Sequence, residues 1–391
     1  MRLAVSGWRA RQCATAGPCR DPEMIVLGEE RKGELEGLCT MIFEGGAAYG
    51  GAAAHAAFDW GIHQAFKERY IVHCTIPNAR LSGNGGAITD EFGRVYPTIH
   101  AEQVPWYSDL PLPSCARLPP PVTTIEEAAQ LTFVFGSGYY HWLIDAMPRL
   151  ALYLQRVPKE ATFLVPADSG QLHPFMSALL DLFKVRRDRV TFYPILPVQN
   201  SFKHSCTRFH VRKLHLIDWK QSALETRKDL QHLPPRAALR FFRRIVLFRM
   251  PERRTRTLQV YVQRSRAADR RVRDEDQVLS VIHNATSSEI VTVTFGDAPP
   301  PPMREAIYLF SAANIVVGMH GAGLANAVFM KDGGSLVEFA LPQPGTHCYV
   351  HLAMAMGLSY WQVPVLSTAA HGSLYSPVDT AALQETLAAV H

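Results

Sequence analysis

No stretch of this chain reaches eighteen consecutive apolar residues, so nothing in it is expected to span a membrane as a helix. GxxxxGK[ST] does not occur, which excludes a P-loop nucleotide site. No pair among its seven cysteines (Cys13, Cys19, Cys39, Cys74, Cys115, Cys206 and Cys348) has CxxC spacing. A zinc ribbon and a dense disulfide framework are therefore not expected, and a reducing environment is the default, with one or two bridges compatible with the count. The net charge of +5 is mild and no nucleic-acid motif accompanies it, which favours an acidic ligand over wrapping of a nucleic acid. Residues 1–20 hold arginines and small residues without an apolar core of signal-peptide length.

What is present describes an ordinary globular protein. A length of 391 residues suggests about two domains, and 47% hydrophobic against 19% charged residues argues against disorder. The most informative stretch runs from Ile307 to Phe339. An amphipathic segment (Ile307, Phe310, Ala313) leads into Ile315-Val316-Val317, a short β-branched run suited to a strand buried on both faces of a parallel sheet. Gly318-Met319-His320-Gly321-Ala322-Gly323 follows, then the helix-like Leu324–Met330, an Asp332-Gly333-Gly334 turn, and a second short strand ending in Glu338-Phe339. This is one βαβ unit, and such sheets bind ligands at the carboxyl ends of their strands. The amides opening the helix suit an anion. Two readings stand for the glycines, a structural turn and a phosphate site; a histidine such as His320, taken alone, is more often a packed, satisfied one. The third glycine of a dinucleotide fingerprint is missing, and so is its acid at the usual distance.

Residues 1–69, including the low-complexity Gly45–Ala57, are a low-information segment read as linker or poorly ordered chain. Strands are expected at Tyr70–Ile76, in a hairpin after Asn84-Gly85-Gly86, at Leu131–Phe135, Ala161–Val165 and Val190–Ile195, with a helix over His173–Phe183. After Gly136-Ser137-Gly138 comes Tyr139-Tyr-His141-Trp-Leu-Ile-Asp145-Ala-Met-Pro-Arg-Leu150, in which His141 and Asp145 lie one helical turn apart. A carboxylate-oriented histidine is a general base; the same pair also serves to stabilise a helix start. Arg236–Arg256 is an arginine-rich, helix-capable connection. Beyond it, the strand from Leu258 ends in Gln263-Arg264-Ser265-Arg266, with Arg270, Arg271 and Arg273 just after. Guanidinium groups there match phosphate oxygens bidentately, or form a solvated basic loop.

Taken in order, Tyr139–Leu150, Tyr261–Arg266 and Gly318–Asn326 with Gly334–Phe339 resemble glycosyltransferase family 61, over roughly 78–366. That family includes plant xylosyl- and arabinosyltransferases and animal protein O-linked N-acetylglucosaminyltransferases. The resemblance implies an α/β protein of GT-B type, two Rossmann-like domains facing a central cleft. Their bounds would be 70–235 on the acceptor side and 257–370 for the nucleotide sugar, with 371–391 a C-terminal tail or helix. It implies inverting transfer of a xylose, N-acetylglucosamine or arabinose type of sugar, from a UDP-linked donor to a hydroxyl of a glycan or glycoprotein. No cofactor or metal is implied, and none of the three motifs contains an Asp-x-Asp pair. The site would comprise His141 and Asp145 as catalytic residues. Arg264, Arg266, Arg271, His320, Gly321, Ala322, Gly323, Leu324 and Glu338 would bind the donor, with Glu338 on the ribose hydroxyls. A dinucleotide-dependent oxidoreductase on a similar scaffold and a non-catalytic sugar-nucleotide or glycan-binding module are the competing classes. As written the chain is expected in the cytoplasm, with the Golgi or secretory route the alternative for an incomplete N-terminus.

Overall fold

The computed structural model describes residues 38–43, 54–55, 70–82, 86–89, 123–133, 135–168, 170–195, 208–220, 233–251, 258–285, 289–295, 301–340, 347–366 and 375–390. The chain divides into two compact units. The first takes the described residues within Met1–Gly46, Arg69–Ser177 and Lys184–His232; the second takes those within Ala47–Glu68, Ala178–Phe183 and Leu233–His391. Most of Gly45–Ala57 and the Asn84-Gly85 part of the hairpin turn lie outside the described residues.

In chain order the strands and helices begin with β1 (Cys39–Phe43), β2 (Ala54–His55), β3 (Tyr70–Ser82), β4 (Ala87–Thr89) and β5 (Thr123–Gln130). A helical turn, Tyr139–His141, passes through a π-helical turn, Trp142–Ala146, into α1 (Met147–Arg156). Then come β6 (Thr162–Asp168), α2 (Pro174–Leu182), β7 (Val190–Ile195) and β8 (Arg208–Lys220). The first unit's sheet runs β1-β3-β8-β5-β6-β7, with β4 on β3. β8, β5, β6 and β7 are parallel, whereas β1, β3 and β8 pair antiparallel and β4 returns on β3 as a hairpin. One face packs Val72, Cys74, Ile76, Leu214 and Leu216 into a core.

Two differences from the sequence expectation have physical causes. The strand anticipated at Leu131–Phe135 is instead β5, eight residues earlier; Leu131 to Phe133 only extend it as buried coil. β5 looks charged because its exposed half carries Glu126 and Glu127, which meet Arg212 and Lys213 of β8 at 3.2 and 2.8 Å. Such cross-strand pairs stabilise a sheet without apolar alternation. β8, which alternates charged and apolar residues, was also unread. Cys39 and Cys74 face one another in β1 and β3 and form a disulfide. It is one of the bridges that the cysteine count leaves room for, and such a bond persists in oxidising surroundings.

On the other face of this sheet a polar chain crosses three strands. Lys213 and the His215 Nε2–H donate to Glu127 Oε1, both at 2.8 Å, and His73 Nε2–H donates to His215 Nδ1 at 3.0 Å. Burial first, and then electrostatic interaction with His215, Arg156 and Lys213, pull the His73 pKa from 6.5 down to about 4. Folded, His73 stays neutral where the unfolded chain is protonated. Its contribution to stability is full above 6.5 and is lost as pH falls toward 4. Thermal melts should therefore drop more steeply between neutral and acid pH in the wild type than in His73→Gln; equal slopes would rule this group out as a source of acid sensitivity.

The second unit contains α3 (Arg236–Phe248), β9 (Leu258–Gln263), β10 (Arg271–Arg273), α4 (Glu275–Asn284), β11 (Glu289–Thr294), α5 (Met303–Ala312), β12 (Ala313–Met319), β13 (Ser335–Ala340), α6 (Cys348–Met356), β14 (Ser359–Pro364), β15 (Tyr375–Pro377) and α7 (Thr380–Val390). Its sheet is wholly parallel, ordered β11-β9-β12-β13-β14-β2. The buried apolar strands β12 and β13 are its centre, as their sequence suggested. The arginine-rich connection belongs to this unit: Leu239, Phe242 and Val246 turn inward from α3 while Arg240 and Arg243 both grip Asp332. Leu383 and Leu387 of α7 join its core, so the C-terminal helix is part of the unit. Among the described residues no helix is long and apolar enough to cross a membrane.

Candidate functional site

In the first unit, chemistry gathers where the chain leaves β5. Gly136 permits the turn, because a Cβ there would lie 2.8 Å from Pro166 Cγ. The helix that follows begins with ordinary α geometry, the Trp142 amide donating to Gly138 O at 2.8 Å, then widens so that Met147 N–H reaches Trp142 O. π turns of this kind recur at functional sites. His141 and Asp145 stand on it, and His141 Nδ1–H donates to Asp145 Oδ2 at 2.7 Å. The imidazole is 31% exposed and the carboxylate 9%, so Nε2 is the atom left for a ligand. Phe135 stacks on the ring at 5.2 Å and Tyr140 meets it edge-on.

Arg149 supports this turn from beneath. It is 3% exposed, lies 4.1 Å over the Trp219 ring, and donates to Asp145 O at 2.8 Å and Ile217 O at 3.0 Å. Burial pulls its guanidinium pKa down, while Asp218 and Asp145 oppose that. The sequence hinted at this residue only as the basic end of the Tyr139–Leu150 motif.

In the second unit the chemistry lies at the carboxyl ends of β9, β12 and β13. Register puts Val262 beside Gly318 and Gly318 beside Glu338. Arg264 and His320, each two residues further on, consequently emerge as neighbours. Gly318 and Gly323 are required by space: a Cβ would come within 2.9 Å of Val262 at the first, and within 2.8 Å of Val262 and the Phe295 ring at the second. The segment anticipated as an α-helix is a 3-10 helix, Ala322–Phe329. Asn326 Nδ2–H holds its first turn by donating to Gly323 O at 2.9 Å. Leu324 N–H donates to Gly321 O at 3.0 Å, which removes the Leu324 amide from the expected anion-facing set. The 3-10 pattern leaves the amides of Ala322 and Gly323 without an intrahelical acceptor.

Arg264 is 8% exposed, and its Nη2 donates to Asp269 Oδ1 at 3.0 Å. Arg270 Nε donates to the other oxygen of Asp269 at 3.1 Å, so one carboxylate holds two guanidinium groups. Burial first, then Arg270, draws the Arg264 pKa down, and Asp269 resists. Arg264 Nε is buried with no acceptor among the described residues. Arg266 is exposed, and Arg271 donates to Ala267 O at 2.6 Å in β10. Of the arginines anticipated as donor ligands, Arg264, Arg266 and Arg271, the structure brings only Arg264 to the glycine turn. Asp269, which ties Arg264 to Arg270, was not anticipated, because a short acid-base run reads as a solvated loop.

His320 Nδ1–H donates to Glu338 Oε1. Tyr360 OH donates to Glu338 Oε2 at 2.7 Å, and Glu338 is 1% exposed. Glu338 therefore sits beneath His320, not open to a ribose. Tyr349 OH donates to Gly321 O at 2.5 Å, and its ring lies 5.2 Å from the imidazole. Burial pushes both tyrosines well above their usual range, with Glu338 adding to it, which keeps them donors. Among the described residues no group of three or more His, Cys, Asp or Glu is placed to hold a metal ion.

Gly321 is the tightest point. Its φ of 169° suits any residue, yet a Cβ would lie 2.2 Å from Arg264 Nη1. Gly321→Ala is expected to fold, since the long arginine side chain can yield, but with the guanidinium displaced. Affinity for an anionic ligand at this turn should drop by less than in Arg264→Ala; unchanged affinity would separate the turn from the ligand.

A fold with a parallel sheet, cations and a glycine turn at its carboxyl edge is of the class that binds phosphorylated ligands. The sequence model described as Glycosyltransferase 61 matches residues 139–337, about half the chain, and the protein belongs to glycosyltransferase family 61. No match is found among curated proteins. The matched span begins at the helical turn carrying His141 and ends on β13, so it holds His141, Asp145, Arg264 and His320 and stops one residue short of Glu338. A glycosyltransferase acts on a sugar donor and an acceptor, which sets aside the oxidoreductase alternative.

Proposed function

We propose that this enzyme is an inverting, metal-independent glycosyltransferase that moves a xylose, N-acetylglucosamine or arabinose type of sugar from a UDP-linked donor to a hydroxyl of a glycan or protein. In this proposal the units are the two halves of a GT-B arrangement, with the donor on the second. The observation that carries it is the buried Arg264 guanidinium lying against Gly321 at the carboxyl edge of a parallel sheet.

Inverting transfer is one displacement. The acceptor oxygen forms a bond to the anomeric carbon, the bond to the diphosphate breaks, and the acceptor's proton passes to a base. His141 is that base through Nε2, with Asp145 fixing its orientation. The departing diphosphate gains negative charge, which Arg264, Arg270, His320 and the Ala322 and Gly323 amides stabilise; preorganised donors of this kind carry much of an enzyme's rate. Glu338 belongs under His320 in this scheme, and Leu324, Arg266 and Arg271 fall outside it.

A panel of nucleotide sugars tests the proposal. UDP and UDP-sugars should raise the melting temperature, NAD should not, and one UDP-sugar should be consumed to give a product of opposite anomeric configuration. Stabilisation by NAD alone would contradict the donor assignment. Retained configuration would contradict inversion, and UDP-sugar binding without hydrolysis or transfer would indicate a binding module.

A further inference from the structure

We infer that Glu338 acts on the donor through His320, fixing which imidazole nitrogen faces the diphosphate, an assignment that rests on the nucleotide-sugar proposal above. Both oxygens of the carboxylate are engaged from inside the protein, one by His320 Nδ1–H and the other by Tyr360 OH at 2.7 Å. Burial keeps Tyr360 protonated, so it is a donor and Glu338 is the acceptor on both sides. That settles the tautomer: Nδ1 carries hydrogen, and Nε2 is the nitrogen available on the ligand side. A carboxylate meant for ribose hydroxyls would need an oxygen open to solvent, whereas Glu338 is 1% exposed.

The consequence lies at Nε2. With Nδ1–H held by Glu338, a hydrogen on Nε2 is aimed at the ligand side and can be donated to a diphosphate oxygen. The groups around the ring are Glu338 from β13, Tyr360 from β14 through Glu338, and Tyr349 with the neighbouring Cys348 from α6. Arg264 lies against the adjacent Gly321, with Asp269 and Arg270 beyond it. The arginines oppose a positive imidazole, and Glu338 is the carboxylate in direct contact with it. Glu338 is thus a positioning residue whose removal should be felt at the diphosphate, not at the sugar of the nucleoside.

Calorimetric titration of UDP and of its 2′-deoxy and 3′-deoxy analogues distinguishes these roles. Glu338→Gln should lose about ten-fold in affinity at neutral pH, the scale of one charge-assisted bond, and lose it equally for all three nucleotides. Tyr360→Phe keeps the carboxylate and should show the same pattern with a smaller loss, which preserves the test if Glu338→Gln folds poorly. In a His320→Ala background, adding Glu338→Gln should cost no further affinity, because the carboxylate acts through that ring. The inference is overturned if wild type prefers UDP to the deoxy analogues and Glu338→Gln erases that preference, or if Glu338→Gln costs as much affinity in His320→Ala as in the wild type. Failure of wild type to bind UDP at all would instead overturn the nucleotide-sugar proposal itself.

Discussion

His141→Ala should lower turnover by about two to four decades, the usual share of a general base. Asp145 Oδ2 accepts the hydrogen bond from His141 Nδ1–H at 2.7 Å and is nearly buried, whereas the imidazole is 31% exposed. The arrangement leaves Nε2 as the lone pair that accepts a proton. Donor affinity should barely change, because the nucleotide is assigned to the other unit. Asp145→Asn keeps the shape of the pair but weakens the hold on Nδ1, and should cost less than His141→Ala. The reverse order, with Asp145→Asn severe and His141→Ala mild, would make Asp145 the base. Loss of donor binding in His141→Ala, with turnover intact at saturating donor, would place this histidine on the nucleotide.

Arg264→Ala should weaken UDP binding by about one to two decades, from roughly 1.5–3 kcal/mol for a hydrogen bond to a charged group. The guanidinium is already desolvated and held by Asp269 at 3.0 Å, so little ordering remains to oppose binding. Removing it leaves Asp269 with Arg270 alone. Arg264→Lys should recover only part of the loss, because an ammonium cannot donate to Asp269 and to a phosphate in the planar fork that guanidinium offers. Equal affinity in wild type and in folded Arg264→Ala would reduce this residue to a structural ion pair.

The sequence made the second unit's centre legible because its signals are local. Ile315-Val316-Val317, the glycines after them and the strand to Phe339 each lie within one short stretch, and β9, β12 and β13 form where they were expected. The His141–Asp145 contact was likewise visible as a one-turn spacing. Features set by distant pairing were hidden. β5 is stabilised by charges on β8, some eighty residues away, so its own pattern reads as polar. The partners that fix Glu338 come from β14, and those that fix Gly321 come from α6 and the end of β9. Without them a carboxylate at a strand end looks open to a ligand. The 3-10 form of Ala322–Phe329 was not legible because Leu324–Met330 is apolar enough for any helix.

A crystal structure with UDP bound tests the central claim most directly. The account predicts the diphosphate beside Arg264, against Gly321-Ala322-Gly323 and within reach of His320 Nε2, with Glu338 still engaged by His320 and Tyr360. A nucleotide seated away from the carboxyl ends of β9, β12 and β13, with Arg264 still turned to Asp269 and touching no phosphate, would contradict it.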